Sequence, residues 1–254
     1  MKKIYFSLLL FLCFHPGWSQ EFKLARNTGK LVVQMGHVTI EGYAGKEIVL
    51  TSSSEKGTDI DQRAVGLKPI NSQGLDDNTG LGISLTESAN VITLKQIKKI
   101  NTPEYHIMVP NGMMVSYRYE SQYGNTVTFI NFESEIEVSA VYNSVVLNNV
   151  TGPMTVKSVY GSVEGSLSAS PKGPISIVSV YGHCDMTLPL TIKADLRLST
   201  SYGEIYVAPA FKIDVDSDSS HDQEFGEKIG GKLNGGGLLL DLTSSYGKIY
   251  LRKK

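Results

Sequence analysis

Apolar and polar residues alternate with a period of two along most of the chain after residue 30. Successive side chains of a β-strand point to opposite faces, so this period indicates strands with one buried face. The alternation is clearest in short stretches that end in Tyr followed by Gly or Asn. We therefore expect an all-β protein without a helix of consequence.

The Tyr-Gly or Tyr-Asn pair recurs along the chain. The spacings between its tyrosines are 19, 18, 21, 21 and 44 residues, the last being close to two units. Two copies are nearly identical, Gly152-Pro-Met-Thr-Val-Lys-Ser-Val-Tyr-Gly161 and Gly173-Pro-Ile-Ser-Ile-Val-Ser-Val-Tyr-Gly182. The repeat tyrosines are Tyr123, Tyr142, Tyr160, Tyr181, Tyr202 and Tyr246, and the glycines after the last four are Gly161, Gly182, Gly203 and Gly247. Such self-similarity indicates a repeat architecture.

Alignment on the tyrosine places apolar residues at fixed positions. They stand six and four residues before it and three after it, for example Ile175, Ile177 and Cys184 around Tyr181. The apolar positions lie at even distances before the tyrosine and at an odd distance after it, so the alternation changes phase at the Gly or Asn. Both residue types tolerate positive φ, so we expect a corner there. Two residues before the tyrosine, Ser158, Ser179, Thr200 and Ser244 should form a row of hydroxyls.

One strand-corner-strand unit cannot bury its inner face alone, whereas stacked units can. The pattern therefore predicts a β-solenoid, a single-domain β-helix of stacked coils of about 20 residues. An up-and-down barrel or a β-sandwich is the alternative, since both also use short, regularly spaced strands. Residue-by-residue similarity between units favours the solenoid.

We expect this domain to cover residues 20–254. Residues 38–50 follow the pattern of the unit less regularly. We predict an irregular polar region from residue 51 to about 89, and an insertion between coils over about 211–235. Residues 1–19 combine Lys2 and Lys3, an apolar run and a small-residue end, which is typical of a secretory signal peptide. The apolar run is too short to span a bilayer, so we expect no transmembrane segment in the mature chain.

Charge and cysteine content narrow the classes of function. The chain carries 24 basic and 25 acidic residues, and cleavage of the signal removes two basic ones. That balance lacks the basic excess of a nucleic-acid-binding protein. Cleavage also leaves Cys184 as the only cysteine, so we expect no internal disulfide and no multi-cysteine metal site.

The repeat resembles a known group of bacterial proteins. Ile107-Met-Val-Pro-Asn-Gly112, the Ser-Val-Tyr-Gly units and the ending from Leu233 to Leu251 are similar to the "putative adhesin" family of exported β-strand-repeat proteins, related to head GIN domains. The resemblance covers roughly residues 30–251. It implies an exported, non-catalytic binding protein in the periplasm, on the outer-membrane surface or secreted. It supplies no catalytic residue.

Two stretches resemble metal sites. Residues 214–224 place acids at alternate positions, like the start of a calcium loop. Ser219 replaces the turn glycine and Phe225 the final glutamate, so a solvated insertion is the favoured reading, with calcium left open. His183 and Asp185 flank Cys184 but should point away from it, so we predict a buried structural thiol, no metal and no cofactor.

A β-helix enzyme acting on polysaccharides would need paired carboxylates. Glu164 and Asp185 occupy equivalent positions in successive coils, which makes them the candidate pair. The next equivalents are Tyr206 and Tyr250, so a mixed exposed row explains the pattern without catalysis.

The favoured prediction is a non-catalytic adhesin-like module that binds a protein or glycan on a surface. Tyr206, Tyr250, Glu164 and Asp185 are its candidate binding residues. An envelope-associated structural or signalling accessory is the alternative, and a polysaccharide-active enzyme ranks third.

Overall fold

The structure is a computed structural model that describes residues 20–53, 63, 73–100, 102–216 and 226–254. No α-helix occurs in these ranges. The first ten strands are β1 Gln20–Leu24, β2 Lys30–Gln34, β3 Val38–Tyr43, β4 Ile48–Ser52, β5 Ile83–Ser88, β6 Val91–Gln96, β7 Tyr105–Pro110, β8 Met114–Tyr119, β9 Thr126–Ile130 and β10 Ile136–Ala140. The others are β11 Ser144–Val150, β12 Met154–Ser158, β13 Val163–Leu167, β14 Ile175–Ser179, β15 Cys184–Leu188, β16 Ala194–Thr200, β17 Ile205–Val207, β18 Ile213–Val215, β19 Glu227–Leu233, β20 Leu238–Ser244 and β21 Ile249–Lys253.

The strands form two large, mostly parallel sheets. The ten-stranded sheet has the order β1-β4-β7-β3-β9-β11-β13-β15-β21-β17, and the eleven-stranded sheet has the order β18-β19-β16-β20-β14-β12-β10-β8-β2-β6-β5. Consecutive strands of each repeat unit lie in opposite sheets. A unit such as β14 and β15 therefore contributes one strand to each sheet, with the Tyr-Gly corner between them.

Residues that align on the tyrosines in the sequence are register partners. In the eleven-stranded sheet Ile175 pairs with Met154 on one side and Leu240 on the other. In the ten-stranded sheet Cys184 pairs with Val163 and Ile249. Because the parallel strands pair in register, each apolar residue lies beside the equivalent apolar residue of the neighbouring unit. The period-two pattern repeated in each unit therefore fills a continuous core.

The stacking order of the units departs from their order along the chain. The last unit, β20 and β21, lies between the unit β14–β15 and the unit β16–β17 in both sheets. At the other end, β6 and β7 stack outside β2 and β3. Units that are successive in the sequence are therefore not neighbours in the sheets at these two places.

The core lies between the sheets and is built from the inward positions of both. Leu31, Phe129, Val163, Ile177 and Leu240 are fully buried members of one continuous apolar cluster. Several buried polar groups around Tyr117 and Tyr119 form hydrogen bonds with one another. The Tyr117 hydroxyl donates to the Met35 carbonyl oxygen at 2.8 Å, and burial raises the pKa of that phenol.

Antiparallel strands flank the parallel stack. At one end β1 and β4 pair next to β7, and β5 pairs with β6. At the other end β19 pairs with β16, and β18 pairs with β19. The polar region expected over residues 51–89 therefore ends in the strand Ile83–Ser88, and the insertion expected over 211–235 contributes β18 and β19. The segment assigned to the signal peptide lies outside the described residues.

Candidate functional site

Five repeat tyrosines form a continuous stack of rings along one corner of the fold. Neighbouring ring centroids are 4.9–5.1 Å apart, and their planes differ by 6–11°. We call this set the tyrosine ladder, and its order is Tyr142, Tyr160, Tyr181, Tyr246 and Tyr202. These five residues are 45–64% exposed. Tyr123 is also exposed, at a corner where the Ser121 hydroxyl accepts a hydrogen bond from its backbone N–H.

The glycines that follow the tyrosines are required by close approach of the backbones. A Cβ on Gly182 would lie 2.5 Å from the Gly161 carbonyl oxygen, and one on Gly247 would lie 2.1 Å from the Gly182 carbonyl oxygen. The same contact recurs for Gly161 against Asn143 and for Gly203 against Gly247. None of these glycines has a φ in the left-handed region. The expectation of positive φ at this corner is therefore wrong. Glycine is needed at these positions because the backbone of the neighbouring unit leaves no room for a Cβ.

The predicted row of hydroxyls lies beneath this corner and links neighbouring units. Ser158, Ser179 and Ser244 are fully buried. The Ser179 hydroxyl donates to the Gly161 carbonyl oxygen at 2.9 Å, and the Ser244 hydroxyl donates to the Gly182 carbonyl oxygen at 2.9 Å. Each buried carbonyl at the corner thus gains a partner, which a close-packed interior requires.

A second, partly exposed cluster lies on the outer face of the ten-stranded sheet, where β17 and β21 pair. Tyr206 and Tyr250 are register partners, and their rings stack at a centroid distance of 5.4 Å. Tyr206 is 45% exposed. We call this cluster the terminal face, and it comprises Glu204, Tyr206, Lys248, Tyr250, Arg252 and Asp185. The two tyrosines singled out in the sequence are thus brought together.

Charged side chains hold the ring of Tyr206 in place. The Lys248 ammonium lies 2.8 Å from the Glu204 carboxylate and 5.3 Å from the centroid of the Tyr206 ring. The Tyr206 hydroxyl donates to the same carboxylate at 2.5 Å. The hydrogen bond from Lys248 lowers the pKa of Glu204, and the carboxylate in turn raises the pKa of Lys248 and of Tyr206.

Arg252 plays the corresponding part for Tyr250. Its guanidinium binds Asp185 with nitrogen–oxygen distances of 2.6–2.9 Å and lies 5.3 Å from the centroid of the Tyr250 ring. The hydrogen bond to Asp185 raises the pKa of Arg252 further. A bidentate pair of this kind fixes the planar guanidinium, which then covers the aromatic face.

Glu164 and Asp185 are register partners on adjacent strands, as the repeat predicted. They have different partners, because Glu164 lies 2.8 Å from His183 Nε2 while Asp185 binds Arg252. His183 Nδ1 is 3.0 Å from the Ser162 hydroxyl, and its ring meets Tyr250 edge-on at 6.1 Å. The next residue along the row after Asp185 is Tyr250, with Tyr206 following it.

The sequence assigned no binding role to Lys248, Glu204 or Arg252. Lys248 and Glu204 hold equivalent positions in the repeat, two residues after a tyrosine. The alternation of apolar and polar positions in the repeat predicted that both side chains point outward. Nothing in the local sequence pairs Arg252 with Asp185, 67 positions away, because that contact depends on the insertion of the last unit.

The remaining candidate sites are placed as follows. Cys184 is fully buried, and burial raises the pKa of its thiol to about 12. Asp214 lies in β18, while residues 217–224 of the calcium-like stretch lie outside the described residues. Among the residues that the structure describes, no group of three or more His, Cys, Asp or Glu side chains is arranged to hold a metal ion.

No family model matches the chain, and no curated protein matches it. Two solved structures are similar. One is a "putative cell adhesion protein" from Clostridium sporogenes ATCC 15579, 12% identical, with 93% of this chain and 100% of that chain covered and a TM-score of 0.49. The other is a "putative adhesin" from Bacteroides fragilis NCTC 9343, 12% identical, with 94% and 98% covered and a TM-score of 0.44. The relation to head GIN domains stays a prediction.

In the part of the chain that the structure describes, no helix is long and apolar enough to cross a membrane.

Proposed function

We propose that the chain is a β-solenoid that acts, after export, as a non-catalytic surface-binding module of the adhesin type. Support for the solenoid comes from units that alternate between two sheets in the same order, with parallel pairing between equivalent residues. The alternatives considered from the sequence build their sheets from antiparallel neighbours. The binding role rests on the terminal face.

The observation that carries the proposal is the held tyrosine pair of the terminal face. Tyr206 and Tyr250 stack on each other, and each ring has a cation beside it that is itself fixed by a carboxylate. Exposed aromatic rings held in one conformation lose little side-chain entropy when a ligand binds. A face of this kind is prepared for contact before its partner arrives.

The chemistry of the terminal face suits a protein or a glycan on a surface. Tyrosine offers apolar area with a polar tip, and the neighbouring acids and bases offer hydrogen bonds of both polarities. Residues 206–208 and 250–253 line a shallow depression of about 460 Å³. The near-neutral net charge of the chain does not favour nucleic acid as the partner.

The test is a binding assay with residues 20–254. The purified protein should bind saturably to at least one member of an array of cells, glycans and matrix proteins. Tyr206→Ala with Tyr250→Ala should weaken that binding at least tenfold, as expected for aromatic hot spots. Tyr123→Ala, which removes an exposed tyrosine elsewhere, is the matched control and should bind like the wild type.

The same experiment addresses the other two classes. A chain that binds no member of a broad array would support an envelope-associated accessory without a ligand of its own. Polysaccharide degradation by the wild type that disappears in Glu164→Gln or Asp185→Asn would overturn the non-catalytic proposal.

A further inference from the structure

The tyrosine ladder offers a repeating surface that the terminal face does not share. Five rings stand one above another at a nearly constant 4.9–5.1 Å and remain 45–64% exposed. Neighbouring rings cover each other's faces because their planes are within 6–11° of parallel. The ladder therefore presents ring edges to the solvent, in a straight row along the stack.

The residue that follows each tyrosine of the ladder adds no exposed side chain beside the ring. Each of the four tyrosines after Tyr142 is followed by glycine, and each glycine is fixed by the backbone contact with the next coil. Asn143, the residue that follows Tyr142, is fully buried. The residues that follow the tyrosines therefore place no side chain over the ring edges.

The edge of an aromatic ring is electropositive and its face is electronegative, so edge-to-face contacts are favourable. A flat conjugated molecule laid along the row would place its face against several tyrosine edges at once. A long molecule makes such a contact at every rung, whereas a compact one reaches one or two rungs. The repeat thus selects for length and planarity in the ligand.

We propose that the tyrosine ladder is a binding site for elongated, planar, conjugated molecules, which lie along the stack across several rungs. This inference is independent of the terminal face and of the function proposed above. Its ligand class follows from the spacing and the near-parallel planes of the rings. The hydroxyl of each tyrosine adds a hydrogen-bonding tip beside the conjugated face.

The test uses thioflavin T, a rod-shaped planar dye whose fluorescence rises when its rotation is restricted. The soluble wild-type protein should give a saturable rise in fluorescence that elutes with the protein in gel filtration. Tyr181→Ala interrupts the ladder at its third ring and should weaken dye binding roughly tenfold, the effect of losing one or two edge-to-face contacts. Tyr181→Phe keeps the ring and should bind dye within about twofold of the wild type.

Two further variants keep the outcome clear. If Tyr181→Ala fails to fold, Tyr142→Ala with Tyr202→Ala shortens the ladder from both ends to three rings and should show the same loss. Tyr206→Ala with Tyr250→Ala should retain full dye binding, because the terminal face is a separate site. The proposal is overturned if the folded wild type gives no rise, if the ladder variants bind dye as the wild type does, or if the signal follows only aggregated protein.

Discussion

The ring of Tyr181 stacks on that of Tyr246 at 4.9 Å, although Tyr202 is the next repeat tyrosine along the chain. Tyr202 stacks on the other side of Tyr246 at 5.1 Å. The last unit of the chain therefore separates two units that are consecutive in the sequence. The same insertion brings Arg252 to Asp185 and Tyr250 to Tyr206, so it also builds the terminal face.

Removal of one buried hydroxyl should destabilise the stack. Ser179→Ala leaves the Gly161 carbonyl oxygen without the hydroxyl that now donates to it at 2.9 Å. We expect the free energy of unfolding to fall by about 1–3 kcal/mol, the usual cost of a buried group left without a partner. Chemical denaturation followed by circular dichroism measures the change.

Ser139→Ala is the matched control for this prediction. Ser139 is exposed, on β10, and its loss should change the stability by less than about 0.5 kcal/mol. Equal effects of the two substitutions would contradict the role given to the buried row.

A methyl group at the crowded corner should be more harmful than its size suggests. In Gly182→Ala the new Cβ would lie 2.5 Å from the Gly161 carbonyl oxygen, so the two neighbouring units have to move apart. Overpacking of this kind costs about 1–3 kcal/mol. Thermal unfolding should show a clear fall in Tm, whereas Ser201→Ala at an exposed corner position should leave Tm unchanged.

Asp77 should make stability depend on pH. Burial alone would raise the pKa of this carboxyl, but hydrogen bonds from the backbone N–H groups of Gly82, Thr79 and Gly80 and from the Thr79 hydroxyl outweigh it and lower the pKa below 3.8. A carboxyl whose pKa is lower in the folded protein than in the unfolded chain stabilises the fold at pH values above its unfolded-state pKa. That contribution is lost as the pH falls through the folded-state pKa.

We therefore expect Asp77→Ala to lower the free energy of unfolding by about 1 kcal/mol at pH 7, less than is usual for hydrogen bonds to a charged group, because Asp77 is exposed and solvent screens its charge. The difference from the wild type should shrink as the pH falls below 3.8. Denaturation at pH 7 and at about pH 3 measures it. A difference that stays constant with pH would count against the ionised carboxylate, and Asp241→Ala on β20 provides a control for loss of one acid.

Cys184 should be chemically inert in the folded protein. It is fully buried, and burial raises the pKa of its thiol to about 12, so little nucleophilic thiolate forms at neutral pH. A thiol reagent should label the chain only after denaturation. Cys184→Val matches the register partners Val163 and Ile249 and should change stability by less than about 1.5 kcal/mol. Rapid labelling of the native protein would refute this assignment.

The sequence predicted the strands and their register because both depend on local alternation repeated in each unit. Ile177 and Val156, for instance, align on the tyrosines and pair in the structure. The stacking order of Tyr202 and Tyr246 could not be predicted from the sequence. Equivalent units have interchangeable surfaces, so an alignment of repeats specifies which residues pair but does not specify which copies are neighbours.

The candidate site was predictable in part for the same reason. Tyr206 and Tyr250 were recognisable as outward residues at equivalent positions. Their cations were harder to assign, because Arg252 reaches Asp185 only through the insertion of β21 beside β15. The corner glycines were found correctly but explained wrongly. A close approach between backbones and a positive φ both require glycine, so the sequence does not distinguish them.

The insertion of the last unit also sets an order for synthesis. The strand Ile205–Val207 pairs with Ile249–Lys253 in the ten-stranded sheet. Some forty residues therefore have to follow β17 out of the ribosome before its sheet partner exists. A nascent chain cannot close this end of the molecule until β20 and β21 have been synthesised, so β17 stays without its sheet partner during that interval.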